Sequence, residues 1–487
     1  MNISRDMKIV LVYPSTNNGV QSLFTFHKNE GIGIKPPLGI IIIATYLKSK
    51  GFENVYCLDC QIGNLSSEET LRCLEKIKPD VVGISAWTDF WYPTYKTIKL
   101  IKQNLPNTKI VLGGPHCSIF PQETLEFSDA DYVIVGDGEE ALYNLLCNIN
   151  SNENKLKSIP GLWHKSLGKT ITPDVPRAIV SDISSIPIPD RSILPYKEYN
   201  SILNPHEYET TMVTSRGCPH RCIFCKMNVQ KIYARDAKLV VDEFQTIADM
   251  GINDIQVYDD TFTWSKQRVI EICNGIIERG IKVNWAIRDR VDKADDEMYA
   301  LMRKAGCYRI HFGVESGSPP ILKASGKKIT LEQVENAVKL AKKHKFHTMS
   351  YYMFGFPDES YEDAVKTINF SIKVNTDYAV YAVIIPYPGT ELYKIALERK
   401  IIPNDFWIDF VKNPTPDFSI PYLIEQNMDK KTLISLKNLA LRKYYFRPSA
   451  LIKELFKVRT LADFKTKFKM GINILTDSLK ITDRSCN

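Results

Sequence analysis

The sequence predicts two α/β units in series: a doubly wound parallel sheet over residues 1–150 and a partial, TIM-like parallel (β/α)6 barrel over 206–400. A helical C-terminal segment, 401–487, is expected to follow them. Three observations lead to this fold class. Short apolar runs alternate with helical patterns throughout both regions. The strand candidates are continuously apolar, as in parallel sheets covered on both faces. A proline-punctuated stretch separates the two regions, and 487 residues are enough for two or three cores.

In the first region strands are expected at 8–13, 55–59, 81–85, 109–112 and 132–135, with helices at 39–50, 67–77, 95–104 and 139–148. Five such units make a flavodoxin-like (Rossmann-like) domain, which binds ligands at the carboxyl ends of its strands. Polar or glycine-rich turns stand there: Ser85-Ala86-Trp87-Thr88, Gly113-Gly114-Pro115-His116 and Gly136-Asp137-Gly138-Glu139. Residues 151–205 carry Pro160, Pro173, Pro176, Pro187, Pro189, Pro195 and Pro205, and read as a linker holding one small hairpin around Gly168. In the second region strands are expected at 209–214, 254–258, 284–287, 309–313, 347–354 and 378–385. Helices are expected between them at 240–250, 264–279, 295–305, 331–344 and 361–374. Active residues of such barrels sit at the carboxyl ends of the strands. The last segment is rich in Lys and Arg, with amphipathic patterns from 430 to about 472.

Composition narrows the function classes. Hydrophobic residues at 44% and charged residues at 24% are ordinary for a globular protein. The longest apolar run, 38–47, is too short to cross a bilayer, and no secretion signal is expected. A net charge of +7 over this length does not argue for nucleic acid. The eleven cysteines are odd in number and scattered, apart from one tight cluster of three. That pattern reads as reduced thiols plus one metal site, hence a cytoplasmic protein.

The cluster lies in Thr214-Ser215-Arg216-Gly217-Cys218-Pro219-His220-Arg221-Cys222-Ile223-Phe224-Cys225. Cys218, Cys222 and Cys225 can converge only if the backbone curls, which Gly217 and Pro219 favour. The loop follows the first barrel strand, so the sulfurs sit at the barrel mouth. A [4Fe–4S] cluster on three cysteines leaves one iron open to a small molecule. A structural zinc site stays an alternative, with His220 as a fourth ligand, although the sequence holds no second short knuckle. Cys273 and Cys307 are expected to be ordinary buried thiols.

CxxxCx(aromatic)C after the first strand of a βα barrel resembles the radical S-adenosylmethionine (SAM) superfamily. The resemblance implies a cluster whose open iron binds SAM, and reductive cleavage of SAM to methionine and a 5′-deoxyadenosyl radical. It implies Phe224 beside the adenine, and a low-potential electron donor such as flavodoxin or ferredoxin. Later strand ends fit the same likeness: Asp259 and Asp260 where the family holds the SAM amino group, Arg288, then Glu315 and Ser316, then Gly355-Phe356-Pro357 beside adenine. Helix capping is the other role open to Asp259 and Asp260.

A flavodoxin-like domain ahead of such a barrel resembles the cobalamin-binding radical SAM class. Ser85, Thr88, Gly113, Gly114, Gly136, Gly138 and Glu139 are then candidates to contact cobalamin, small residues allowing a corrin to approach the backbone. Each glycine could instead only serve its turn. The Asp-x-His-x-x-Gly of many cobalamin domains is replaced here by Asp59-Cys60-Gln61-Ile62-Gly63, so no histidine is expected on cobalt. His116 is expected to be structural, and Trp87 to Trp91 are candidates to lie under the corrin. Methyl transfer to an unactivated position of a small molecule, or of a peptide, is the reaction the resemblance favours. A cyclase resembling the anaerobic magnesium-protoporphyrin ester cyclase, which shares a tail like Tyr444-Tyr445-Phe446-Arg447-Pro448, and a non-catalytic cobalamin or cluster sensor are the alternatives.

Overall fold

A computed structural model describes residues 5–451, apart from 17–18, 21–33, 201–207, 227–229, 417 and 449. Seven strands make the first sheet: β1 Ile9–Tyr13, β2 Val55–Asp59, β3 Val81–Ser85, β4 Lys109–Gly113, β5 Tyr132–Ile134, β6 Leu162–Ser166 and β7 Lys169–Ile171. Their order is β2-β1-β3-β4-β5-β6-β7, and the first five are parallel. The order 2-1-3-4-5 is flavodoxin-like, with its ligand crevice at the β1/β3 switch point. The central strands β1 and β3 are apolar on both sides because both faces are covered. Ile9, Leu11, Val81 and Val111 pack against the helices Leu38–Ser49 and Gly138–Asn148. Val10, Val12, Val82 and Ile84 pack against Leu74, Ile98 and Ile101 on the other side.

The hairpin expected as a separate element in the linker instead extends this sheet. β6 runs antiparallel to β5, with Tyr132 opposite His164 and Ile134 opposite Leu162. Gly161, at φ 73°, turns the chain back, and its carbonyl accepts from Val135 N at 2.9 Å. Two short helices not expected from the pattern, Pro115–Ile119 and Pro121–Phe127, follow β4, each beginning with proline where no intrahelical donor is needed.

The second sheet holds β8 Glu209–Met212, β11 Asp254–Val257, β12 Asn284–Asp289, β13 Cys307–Glu315, β14 His347–Phe354 and β15 Tyr378–Val383. Between β8 and β11 a two-residue antiparallel pair intervenes, β9 Ser215–Arg216 with β10 Tyr233–Ala234. The six long strands are parallel in the order β15-β14-β13-β12-β11-β8, and β8 does not pair with β15, so the barrel is partial. An unpaired edge strand leaves main-chain groups unsatisfied. The helix Lys430–Tyr445 meets that need at β15: the Tyr445 hydroxyl accepts from Ala379 N at 3.0 Å and donates to Ala379 O at 2.9 Å. The Tyr444 hydroxyl bonds to Thr376. The helical pattern expected to continue to about 472 lies, beyond 451, outside the described residues.

The two units share one apolar core. It runs from Val82, Ile84 and Trp91 to Trp407 and Phe410 of the C-terminal segment, and the Trp91 indole donates to Val411 O at 3.1 Å. Among the described residues, no helix is long and apolar enough to cross a membrane. The ten described cysteines are all free, with Cys273 and Cys307 buried as expected.

A buried ion triad joins the linker to the barrel. Glu243 accepts from Arg191 at 2.6 Å and from Arg235, and all three residues are buried. Arg191 also donates to Thr210 Oγ1 and Thr211 O of β8. Glu243→Ala leaves two guanidiniums without a counterion, and is expected to destabilise the barrel by about 3–5 kcal/mol. Denaturant unfolding checks this, and a loss under about 1 kcal/mol would show that the triad bears little of the fold.

Candidate functional site

The cysteine loop is held at its base and along its length by other barrel units. Its base is closed by the β9–β10 ladder, Arg216 opposite Tyr233. Asp259, at the end of β11, is buried and takes up Thr214 N, Thr214 Oγ1 and Ser215 Oγ. Asp260 accepts from Gly217 N at 3.1 Å, where Gly217 has φ 96°. Midway, Ile223 N donates to Ser325 O at 3.0 Å, and Leu392 N donates to Ile223 O at 2.8 Å. Segments following β11, β13 and β15 therefore anchor the cysteine loop.

Cys218 and Cys222 are half-buried and Cys225 is exposed. Burial raises the Cys222 thiol above its ordinary value, against the opposing pull of Lys327 and Arg290. Among the described residues no three His, Cys, Asp or Glu side chains converge on one point for a single ion. A four-iron cluster does not require that, since each thiolate binds its own iron. Three accessible thiols on one anchored loop therefore fit the donor set of such a cluster.

The other expected SAM-side residues divide into supports and walls. Phe224 packs edge-on against Phe356, with ring centroids 5.9 Å apart, bringing the aromatic before the third cysteine to the Gly355-Phe356-Pro357 turn. That turn is shaped by Glu359, whose carboxylate accepts from Gly355 N and Phe356 N; burial pushes its pKa up to about 7. Glu315 sits at a bulge with φ 71°, a strained backbone for a glutamate, and pairs with Lys327 at 2.8 Å. Ser316 is buried and bonds to Thr367 Oγ1 and Ser318 N, a supporting position. Arg288 is exposed at the mouth, its guanidinium 4.1 Å from the centre of the Tyr258 ring. Of the expected carboxylates, Asp259 is spent on the loop, whereas Asp260 gives it one recorded bond.

On the first sheet, most of the expected cobalamin contacts have packing duties. A Cβ on Gly114 would meet Ala86 O at 2.8 Å, one on Gly136 Ala178 O at 2.1 Å, and one on Gly138 the Ile43 side chain at 2.8 Å. Gly113 differs: a Cβ there meets nothing within 4 Å, so open space borders the end of β4. Half-buried Ser85 and 39% exposed Trp87 stand on the same edge, and together they fit an approaching flat ligand. Thr88 is buried and bonds to His116 Nδ1 at 3.2 Å. His116 is wholly enclosed, stacks on Trp91 at 4.1 Å, and burial pushes its pKa down to about 3, so its role here is structural. Trp91 likewise belongs to the core.

The two halves meet where Glu139, expected to contact cobalamin, is instead engaged by a cation of the cysteine loop. Arg216, two places before Cys218, pairs with Glu139 at 2.5 Å and Asp137 at 3.3 Å. Tyr387, after β15, donates to Asp89, after β3, at 3.3 Å. The acidic Asp137-Gly138-Glu139-Glu140 turn was the available signal, since its buried Glu139 needs a cation.

Residues 33–146 match the B12 binding domain family, and residues 212–371 the Radical SAM superfamily. An uncharacterized methyltransferase of Pyrococcus horikoshii is 32% identical over 457 residues, 93% of this chain and 95% of that protein. The anaerobic magnesium-protoporphyrin IX monomethyl ester cyclase of Rubrivivax gelatinosus is 27% identical over 91% of this chain and 78% of its own length. Among solved structures, the cobalamin-dependent SAM radical enzyme OxsB with aqua-cobalamin and SAM bound superposes with a TM-score of 0.72. That match covers 97% of this chain and 72% of OxsB, and its 19% identity supports a shared fold.

Gly326, at φ 70°, lets the chain pass under the cysteine loop, where a Cβ would stand 2.7 Å from Arg221 O. Gly326→Ala adds a backbone cost of about 1–2 kcal/mol and pushes on that loop. The variant is expected to keep its circular dichroism but to take up markedly less iron on anaerobic reconstitution. Full iron loading would show that the loop is not seated there.

Proposed function

Because this chain belongs to the cobalamin-dependent radical SAM family, we propose that it transfers a methyl group to an unactivated position of a small molecule. Its cofactors are a [4Fe–4S] cluster, SAM and cobalamin. When bound, they supply an electron for reductive cleavage of SAM to methionine and a 5′-deoxyadenosyl radical, and a carrier for the methyl group.

The chain's own residues bind and orient. Cys218, Cys222 and Cys225 hold the cluster, on a loop whose curl is set by Asp259, Asp260 and the Ile223 backbone bonds. Phe224 and Phe356 form an aromatic wall for adenine, backed by the turn that Glu359 shapes. Asp260, Arg288 and Glu315, standing on Ser316, supply the charged groups at the mouth for the amino-acid part of SAM. Ser85, Gly113 and Trp87 border the cobalamin edge, and Pro357 closes the turn on the adenine side.

The observation that carries the reading is the Arg216–Glu139–Asp137 contact. It sets the cysteine loop of one unit against the carboxyl edge of the other, where the ligand crevice of a doubly wound sheet lies. A low-potential donor such as flavodoxin or ferredoxin delivers the electron, and free thiols at all the described cysteines fit the cytoplasm. Cyclisation, the activity named for the Rubrivivax relative, is the second reading, because 91% of this chain aligns with that enzyme.

The test is anaerobic incubation of the protein, loaded with iron, sulfide and hydroxocobalamin, with SAM and a low-potential reductant. 5′-Deoxyadenosine is expected, and is expected to vanish in Cys218→Ala. S-adenosylhomocysteine alongside it supports methyl transfer, whereas its absence under substrate turnover favours cyclisation. A protein with its cluster fully assembled that cleaves no SAM would refute both.

A further inference from the structure

The interior of the barrel carries cations, and among the described residues Arg309 has no ion-pair or hydrogen-bond partner for its side chain. On β12 and β13 the residues alternate between two faces. Trp285 packs on Phe244 and Phe262, and Ile287, Ile310 and Phe312 join the same helix-facing core. Arg288, Arg309 and His311 therefore face the lumen, and the register sets Arg288 beside His311 and Ala286 beside Arg309.

Arg309 is 6% exposed; its Nε is enclosed without a hydrogen-bond partner, and its guanidinium lies 4.8 Å from the Tyr308 ring centre. Arg288 rests on Tyr258, with no recorded carboxylate partner. His311 bonds through Nδ1 to the Tyr351 hydroxyl at 2.8 Å, leaving Nε2 enclosed and unpartnered. Lys35, from the first unit, reaches Glu209 at the start of β8. Of the lumen acids, Glu209 pairs with Lys35, and Asp254 accepts from the Tyr308 hydroxyl at 2.9 Å and lies at the foot of the strands, its charge acting on Lys35.

The charges feel one another. Lys35 is pushed down to about 8, chiefly by burial, with Asp254 opposing and Arg309 and Arg288 adding to the push. His311 is pushed down to about 3 by burial, then by Arg309, Arg288 and Lys35, so it is neutral. An enclosed guanidinium nitrogen without an acceptor is costly, and a ligand oxygen would remove that cost. The planar fork of Arg matches carboxylate and phosphate oxygens.

We propose that the lumen is an anion subsite for the substrate, in which a carboxylate or phosphate group is bound by Arg309 and by His311 Nε2, below the Arg288 that faces SAM. An entering anion selects the tautomer in which Tyr351 donates to Nδ1 and Nε2 carries the hydrogen. The inference rests on the barrel being the substrate chamber, as proposed above. It adds that the substrate is anionic at the end remote from the reacting position. His311 stands four strand residues below Glu315 and Arg309 six, so the anion lies about 13–20 Å below Glu315 along the strand.

Equilibrium dialysis of the full chain, loaded with cluster and hydroxocobalamin, tests this with labelled inorganic phosphate and labelled succinate in chloride at matched ionic strength. Saturable binding of at least one anion is expected, and the better of the two tells phosphate from carboxylate. Arg309→Met is expected to weaken it by about tenfold or more, with Arg309→Lys in between. Because the guanidinium has no partner among the described residues, Arg309→Met is also expected to melt no lower than the parent in chloride. Saturating SAM is expected to leave anion binding in place. Binding unchanged in Arg309→Met, displacement by SAM, or no binding beyond chloride would each overturn the subsite. SAM cleavage in the same samples reads the enzyme assignment separately.

Discussion

The contact of Arg216 with Asp137 and Glu139 is the constraint on which the arrangement of the two units depends. Glu139 is buried, and a carboxylate in that position must find a cation. The cation comes from the residue two places before Cys218, so satisfying one charge on the first sheet fixes the entry to the cysteine loop on the second. Tyr387 with Asp89, and Trp91 with Val411, repeat the connection at two more points along the same seam. The shared apolar core behind them makes the seam part of the fold.

The loop itself illustrates how a barrel builds a site from distant segments. Its sulfurs stand on one strand end, but its curl is set by carboxylates after β11, a carbonyl after β13 and an amide after β15. Several residues whose side-chain types suggest ligand contact are consumed in this support. Asp259 and Ser316 are buried and bonded to neighbours, and Glu315 is buried against Lys327, while Asp260 and Arg288 stand exposed at the mouth. An enclosed carboxylate takes the donors within reach, and one at a rim keeps capacity for a ligand.

Much of this was legible in the residues. Strands β2, β3 and β14 and the helices Ser67–Ile77 and Tyr361–Val374 run where the pattern places them, because continuous apolar runs and Ser caps are local signals. The pairing of β6 onto β5 was not legible, since it joins segments through backbone bonds that no side chain announces. Pro115–Ile119 and Pro121–Phe127 are too short to show a period. The cysteines declare themselves by spacing, whereas Arg216 and Arg309 look like ordinary surface charges until the fold encloses them. The glycines at 114, 136 and 138 carry the opposite lesson: their motif suggested ligand contact, and neighbouring atoms account for them.

If the seam holds the two cofactors face to face, their separation is fixed by protein contacts. Pulsed dipolar spectroscopy on the frozen protein, with the cluster reduced and the cobalt in its paramagnetic divalent state, measures that separation directly. One narrow distance distribution, broadened when Arg216 is replaced by alanine, is the expected result. No dipolar coupling, or a distribution as broad in the parent as in the variant, would contradict it.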